Sequence, residues 1–144
     1  MVLAGAGMCV GNNLGGKLSD KYSPAIVAGY TQLLAAVALI GMFLCSANPF
    51  IAIALMCICT GCLFAVSAPQ QVLLIENAKG GEMLGASCSQ ISFNLGNAIG
   101  AFIGSIPIAH GYGYEYTALP GAFFAFIGFS LLLYFYKRYV KVYK

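Results

Sequence analysis

Charge is what this sequence has least of. Of its 144 residues 8% are charged and the acidic ones number four, where a soluble domain carries roughly a quarter charged residues. Tryptophan is absent and His110 is the sole histidine. So little polar side chain cannot cover a water-facing exterior. With so few acids and one histidine there is no Ser/His/Asp set, no cluster of metal-ligand spacing and no phosphate-binding glycine loop at a strand end. Enzyme chemistry, a cofactor and a bound metal are therefore not expected. The net charge of +3 is no nucleic-acid footprint either, because no basic stripe with interleaved aromatics occurs outside the C-terminal tail.

What the chain does have is apolar surface. It is 60% hydrophobic with a mean hydropathy of +0.86, and the solvent that suits such a surface is lipid. A bilayer core about 30 Å thick needs roughly 20 apolar helical residues, and five runs meet or approach this: 1–16, 25–45, 50–76, 83–109 and 118–136. No run alternates polar and apolar residues as a barrel strand does, and in lipid a helix satisfies its own backbone. The expected fold is all-α, a polytopic bundle of about five transmembrane helices. Ser23-Pro24 and Asn48-Pro49 each read as an N-cap followed by proline at the first helical position, and Thr117 as a cap for the fifth helix. Pro69 inside the third run predicts a kinked or tilted helix whose inner end projects from the membrane.

The basic residues fall in three places. Lys17 and Lys21 follow the first run, Lys79 the third, and Lys137, Arg138, Lys141 and Lys144 the fifth. The two other connections have none, so the positive-inside rule places the basic segments in the cytoplasm, N-terminus out and tail 137–144 in. Tyr134, Tyr136, Tyr139 and Tyr143 beside that tail suit an interfacial aromatic belt. The opening Met1-Val2-Leu3-Ala4 enters an apolar run with no basic n-region and no cleavage pattern, so a signal peptide is not expected and the chain reads as a piece of something longer.

Two glycine stripes stand out. Gly7, Gly11 and Gly15 recur every four residues on the first run, and Gly96, Gly100 and Gly104 on the fourth, so each bares a helix face for close packing. On the fourth run Ser87, Gln90, Asn94 and Asn97 form a polar stripe about 80 degrees from the glycines. Buried amides are costly unless paired, so this stripe either hydrogen-bonds a neighbouring helix or faces a wet cavity. With Gln70 and Gln71 near the Pro69 bend, the cavity is the favoured reading, and uncharged amides suit a neutral polar small-molecule solute. Cys57, Cys59 and Cys62 invite a metal reading, but Cys57 and Cys59 point about 200 degrees apart on a helix. They read as small apolar residues, and Cys9, Cys45 and Cys88 in other runs indicate no disulfide framework. No acidic residue lies mid-span, where proton relays are usually marked.

Gly16-Lys17-Leu18-Ser19-Asp20-Lys21-Tyr22-Ser23-Pro24 resembles the G-x-L-a-D-r-x-G-r loop of the major facilitator superfamily, with Ser23 and Pro24 at its departing last positions. Gly96-Asn97-Ala98-Ile99-Gly100-Ala101-Phe102-Ile103-Gly104 is similar to the G-x-x-x-G-P-x-x-G-G helix of proton-driven antiporters, with Ala101 in place of the proline. Ser67 through Glu82, followed by Gln90 through Asn97, resembles the tenth and eleventh helices of arabinose-type efflux permeases. The resemblance covers nearly the whole chain, as helices eight to twelve of twelve, and implies a partial C-terminal transmembrane domain over residues 1–144. It implies an inner-membrane exporter of sugar or drug, with proton coupling left open, partnered by the lipid bilayer and by missing N-terminal helices. Gly16, Asp20 and Lys21 would then form a cytoplasmic loop whose Asp20 helps latch one state, and Gln70, Gln71, Gln90, Asn94 and Asn97 would face the solute. Two alternatives stand beside it. One is a non-transporting helical scaffold, the other a small dimeric multidrug exporter, though such exporters usually rely on an intramembrane carboxylate that this chain lacks.

Overall fold

The computed structural model describes residues 2–140; Met1 and residues 141–144 lie outside it, with Lys141, Tyr143 and Lys144 of the basic tail, as does the side chain of Tyr139. Among the described residues there are five α-helices and no strand. They are α1 (Val2–Lys21), α2 (Pro24–Leu44), α3 (Pro49–Asn77), α4 (Glu82–Ala109) and α5 (Ala118–Phe135). A single 3-10 turn, Tyr114–Thr117, leads into α5, and a π-turn, Tyr136–Val140, follows it. Four helical stretches, Pro24–Leu44, Pro49–Asn77, Glu82–Ala109 and Tyr114–Arg138, are long and apolar enough to cross a bilayer. At 20 residues, about 30 Å, α1 is long enough too, but Asn12, Asn13 and its charged last turn make it less apolar.

The helix ends correct several expectations. The first run does not stop at residue 16: α1 continues to Lys21, because residues 17–21 contain neither glycine nor proline, and the break comes at Tyr22-Ser23, where Pro24 disfavours helix in the residue before it. The expected Gly16–Lys21 loop is thus the last part of a helix. Asn48 caps α3 as expected, its Oδ1 accepting from the Phe50 amide at 3.2 Å. Ser23 makes no side-chain cap. Thr117 makes none either. It is already in helical conformation behind the 3-10 turn, and its Oγ1 donates back to the Tyr114 carbonyl at 2.7 Å. The α3 helix passes through Pro69 without interruption, with the ring fully buried.

Packing is set by small side chains. The buried surface of α2 is Ala25, Val27, Ala28, Gly29, Ala35, Ala36 and Ala38, that of α3 includes Cys59, Cys62, Ala65 and Val66, and that of α5 is Ala118, Ala122 and Ala125. Lipid is as apolar as leucine, so helices associate in it by close backbone approach rather than by hiding large side chains. Those point outward: Phe50, Leu84 and Phe102 are 84%, 72% and 71% exposed, far more apolar surface than a water-soluble monomer leaves bare. Several hydroxyls within the helices satisfy themselves, as Thr31, Thr60 and Ser87 each donate to a carbonyl four residues back.

The register of these contacts fixes the helix directions. Cβ atoms placed on Gly7, Gly11 and Gly15 would meet the carbonyls of Cys57, Gly61 and Ala65 in the same order, so α1 and α3 run parallel. Gly29 lies by Phe129 and Gly121 by Leu39, so α2 and α5 run antiparallel. Lys17, Lys21, Lys79, Lys137 and Arg138 therefore gather at one end of the bundle, with Asp20, Glu76 and Glu82. His110 and Glu115 take the other. At that second end Tyr116 stacks edge-on against Phe43 at 5.3 Å and lies 5.4 Å from Tyr112. At the basic end the Tyr134 hydroxyl accepts a hydrogen bond from Arg138.

Among these helices α4 is the least enclosed. Gly85 is its one buried residue, seated against the Ala78 side chain and the Leu74 carbonyl of α3. The tight turn between the two helices uses Gly80 at φ +78, a left-handed conformation that glycine adopts without strain.

Candidate functional site

Beyond that first turn α4 diverges from the rest, and the space it leaves is a groove bounded by α2, α3, α4 and α5. Its volume is about 1010 Å³, ample for a small organic molecule. From α3 come Ser67, Gln70, Gln71 and Asn77; from α4, Ser89, Gln90, Ser92 and Asn97; from α2, Gln32. Apolar walls complete it, among them Phe64, Phe93, Phe124 and Phe135. Among the described residues no charged one lines it. Glu76, Lys79 and Glu82 stay at the α3–α4 turn, outside the lining.

Of the six amides that line this groove, one is paired within its own helix. Asn77 donates to the Leu73 carbonyl at 2.7 Å, within its own helix. Among the described residues the side chains of Gln32, Gln70, Gln71, Gln90 and Asn97 take part in no hydrogen bond. Gln70 is half-buried, and Gln71, Gln90 and Asn97 are exposed. An amide left unpaired in hydrocarbon costs several kcal/mol on the order of a lost water-to-apolar transfer. These side chains need water, a solute or a further polar surface against them, and the groove is the space that provides room for it.

Of the residues singled out from sequence, the structure brings Gln70, Gln71, Gln90 and Asn97 to one groove. Asn94 is not among its lining; its Nδ2 donates to the Gln90 carbonyl at 3.0 Å on the exposed side of α4. Gly16, Asp20 and Lys21 sit on the last turns of α1, away from the groove, with open space at Gly16 and with Asp20 and Lys21 exposed. Asp20 makes no ion pair among the described residues. On the same turn the Ser19 hydroxyl is buried without a partner.

The two glycine stripes part company. Gly7, Gly11 and Gly15 meet the α3 backbone, whereas Gly96, Gly100 and Gly104 have nothing within 4 Å of a Cβ position. Within this chain the α4 stripe packs against no neighbour, contrary to expectation, because α4 approaches α3, α5 and the 3-10 turn by its other faces. The polar groove residues not anticipated are Gln32, Ser67, Asn77, Ser89 and Ser92. Gln32 did carry a signal, as the one amide in the apolar α2 sequence. The six cysteines are all free thiols, and no three His, Cys, Asp or Glu side chains cluster among the described residues.

A multi-pass helical bundle with an uncharged, amide-lined groove is the class of protein that fold and site define. Three relatives narrow it. Over 141 residues the chain is 45% identical to the "Putative transporter AraJ" of Escherichia coli (strain K12), covering 98% of this chain and 36% of that one. Over 135 residues it is 38% identical to the "Inner membrane transport protein YdhP" of Escherichia coli O157:H7 and of strain K12, covering 94% of this chain and 34% of each relative. Over nearly its whole length the chain is similar to these transport proteins, and its motifs resemble those of the major facilitator superfamily. It spans about a third of the length of the curated relatives it matches. No protein-family model and no solved structure matches it.

Proposed function

We propose that this chain is part of an inner-membrane solute transporter, contributing helices eight to twelve of a two-halved bundle as a partial C-terminal domain. Transporters of this construction rock two helical halves about a site near the membrane middle. The observation that carries the reading is the convergence of Gln70, Gln71, Gln90 and Asn97, none of them hydrogen-bonded through its side chain, on one uncharged groove. A lining without charge suits an uncharged solute. Four phenylalanines beside the amides favour a solute with an apolar body and a hydrogen-bonding head, a drug-like molecule or glycoside, over a bare sugar.

In this scheme the basic end faces the cytoplasm, as the gathered lysines support, and transport runs outward. Asp20 and the glycines of α1 and α4 serve the moving interface. No carboxylate lines the groove, so a protonation site, if protons drive transport, belongs to other helices of the protein. The naming of AraJ and YdhP as transport proteins supports the reading over a scaffold. The test is export of an uncharged aromatic glycoside, p-nitrophenyl galactoside, and of an uncharged aromatic amide, chloramphenicol, by the full-length protein. Gln70→Leu and Gln90→Leu are expected to lower export with protein levels in the membrane unchanged. Loss of the protein itself in step with activity would return both glutamines to a packing role.

A further inference from the structure

One hydroxyl of the helices differs from the rest. Thr31, Thr60 and Ser87 donate to a carbonyl four residues back and Ser67 to one three residues back, whereas the Ser19 hydroxyl of α1 is buried and has no partner. Its position follows from the α1–α3 register. Gly7, Gly11 and Gly15 face Cys57, Gly61 and Ala65 at a constant offset, so the next turn of the same face sets Ser19 level with Pro69. Proline has no N–H, and the carbonyl that loses its helical donor is that of Ala65. A Cβ on Gly15 would run into that same carbonyl.

Helix geometry turns the two groups toward each other. A side chain on a helix leans toward the N-terminus, so Ser19 leans back over Gly15. Helical carbonyls point toward the C-terminus, and because α1 and α3 run parallel, the Ala65 oxygen points toward the level of Ser19. A donor without an acceptor thus stands within about one helical turn of an acceptor without its helical donor. Both are costly to leave unmet away from water. Pro69 also makes α3 soft at this level, since a helix bends most readily where its hydrogen-bond ladder is broken. We infer that Ser19 and the Ala65 carbonyl are a switchable hydrogen-bonded pair, apart in the conformation seen here and joined when α3 alters its bend at Pro69. Ser19 is then a positioning residue, holding the basic end of α3 against α1 in one working state and releasing it in the other. This rests on the reading of the protein as a transporter that changes conformation, but it concerns the α1–α3 contact and not the groove.

The experiment is a double-mutant cycle read as a distance between helices. Spin labels are attached to the full-length protein through p-acetylphenylalanine placed at Lys17 and Lys79, a chemistry that leaves the natural cysteines untouched. Both positions are exposed. Lys17 lies on α1 and Lys79 just past the end of α3, beyond Pro69, so their separation follows the bend. In lipid nanodiscs the distance distribution should hold two populations, and Ser19→Ala should change their ratio roughly three- to tenfold, the effect of one neutral hydrogen bond. Ser19→Cys, which keeps the size but donates weakly, should do the same. Neither should lower the thermal midpoint, because no bond is lost in the conformation seen here. Pro69→Ala restores the amide that donates to the Ala65 carbonyl, so adding Ser19→Ala to Pro69→Ala should move the ratio by less than about twofold. An unchanged ratio on Ser19→Ala, a single population in the unaltered protein, or an equal effect of Ser19→Ala with and without Pro69→Ala overturns the pairing. So does a lowered midpoint with Ser19→Ala, which would mean a bond already made. Should Pro69→Ala fail to reach the membrane, Pro69→Gly restores the same amide. Failure of the unaltered protein to export either p-nitrophenyl galactoside or chloramphenicol overturns the transporter reading instead, and the distances still decide the pair.

Discussion

Gly15 of α1 rests on the carbonyl of Ala65 in α3, the carbonyl to which residue 69 would donate in an uninterrupted helix and cannot, because residue 69 is proline. Proline removes one helical donor and leaves a carbonyl exposed four residues back. In lipid that acceptor has no water to turn to. A glycine on the parallel neighbour brings a Cα–H against it, a weak but recurrent partner for carbonyls at helix–helix contacts. The missing hydrogen bond at Pro69 of α3 and the glycine stripe of α1 therefore meet in one contact.

From this follows the first expected outcome. Gly11 and Gly15 meet backbone, not a flexible side chain, so a methyl group at either forces the helices apart. Gly11→Ala and Gly15→Ala should each destabilise the bundle by about 3 kcal/mol, the upper part of the range for overpacking. Thermal unfolding midpoints of the detergent-purified protein measure it. Gly5→Ala, on the same helix but with nothing within 4 Å, should leave the midpoint unmoved; equal losses at all three positions would dissolve the distinction.

The α4 stripe is expected to behave in the opposite way. With open space at Gly96, Gly100 and Gly104, Gly100→Leu should leave the midpoint of this five-helix unit, purified alone, within about 0.5 kcal/mol, as for surface changes generally. In the full-length protein the same change should impair export, if this face meets the other half of the bundle. Unimpaired export would leave the stripe facing lipid.

Much of this architecture was legible in the residues, and the exceptions have physical causes. Long apolar runs bounded by Ser23-Pro24 and Asn48-Pro49 marked α2 and α3 to within a residue, because proline can start a helix but not sit comfortably within one. The extension of α1 through Asp20 follows from the lack of glycine or proline in residues 17–21, a local signal that the resemblance to a loop motif overrides. For the groove, three- and four-residue spacing marked Gln90, Asn94 and Asn97 as one stripe, but spacing gives a face and not its neighbour. The divergence of α4 decides that Gln90 and Asn97 line the groove while Asn94 turns aside. Gln32 could be seen as a lone amide among apolar residues, but its place beside Gly128 of α5, nearly a hundred residues away, is set by packing that spacing does not give.

That difference between neighbouring asparagines is itself testable. Asn97→Ala removes an amide from the groove wall and should reduce export by roughly three- to tenfold, the effect of one neutral hydrogen bond. Asn94→Ala removes only a bond to the Gln90 carbonyl at 3.0 Å and should stay within about twofold. Transport rates in vesicles, normalised to protein content, decide the matter. A larger loss at position 94 than at 97 would mean that α4 is rotated when the protein works.

Asp20 presents the remaining case, a carboxylate with no partner in a region rich in cations. It lies on the last turn of α1, exposed, and no ion pair forms to Lys17, Lys21 or any other described residue. An exposed carboxylate contributes little to the stability of the state in which it is solvated, so Asp20→Asn should leave the thermal midpoint unchanged. If Asp20 latches the basic end, its partner forms only in another conformation. Removing the charge then raises the energy of that conformation alone. A state favoured by one charge-assisted bond of about 1.5–3 kcal/mol would lose roughly ten- to a hundredfold in population, and turnover should slow while the affinity for solute stays near its original value. Separate measurement of binding and of export rate tests this: a weakened affinity with unaltered maximal rate would assign Asp20 to the solute path, and unaltered turnover would leave it as a solvated helix end.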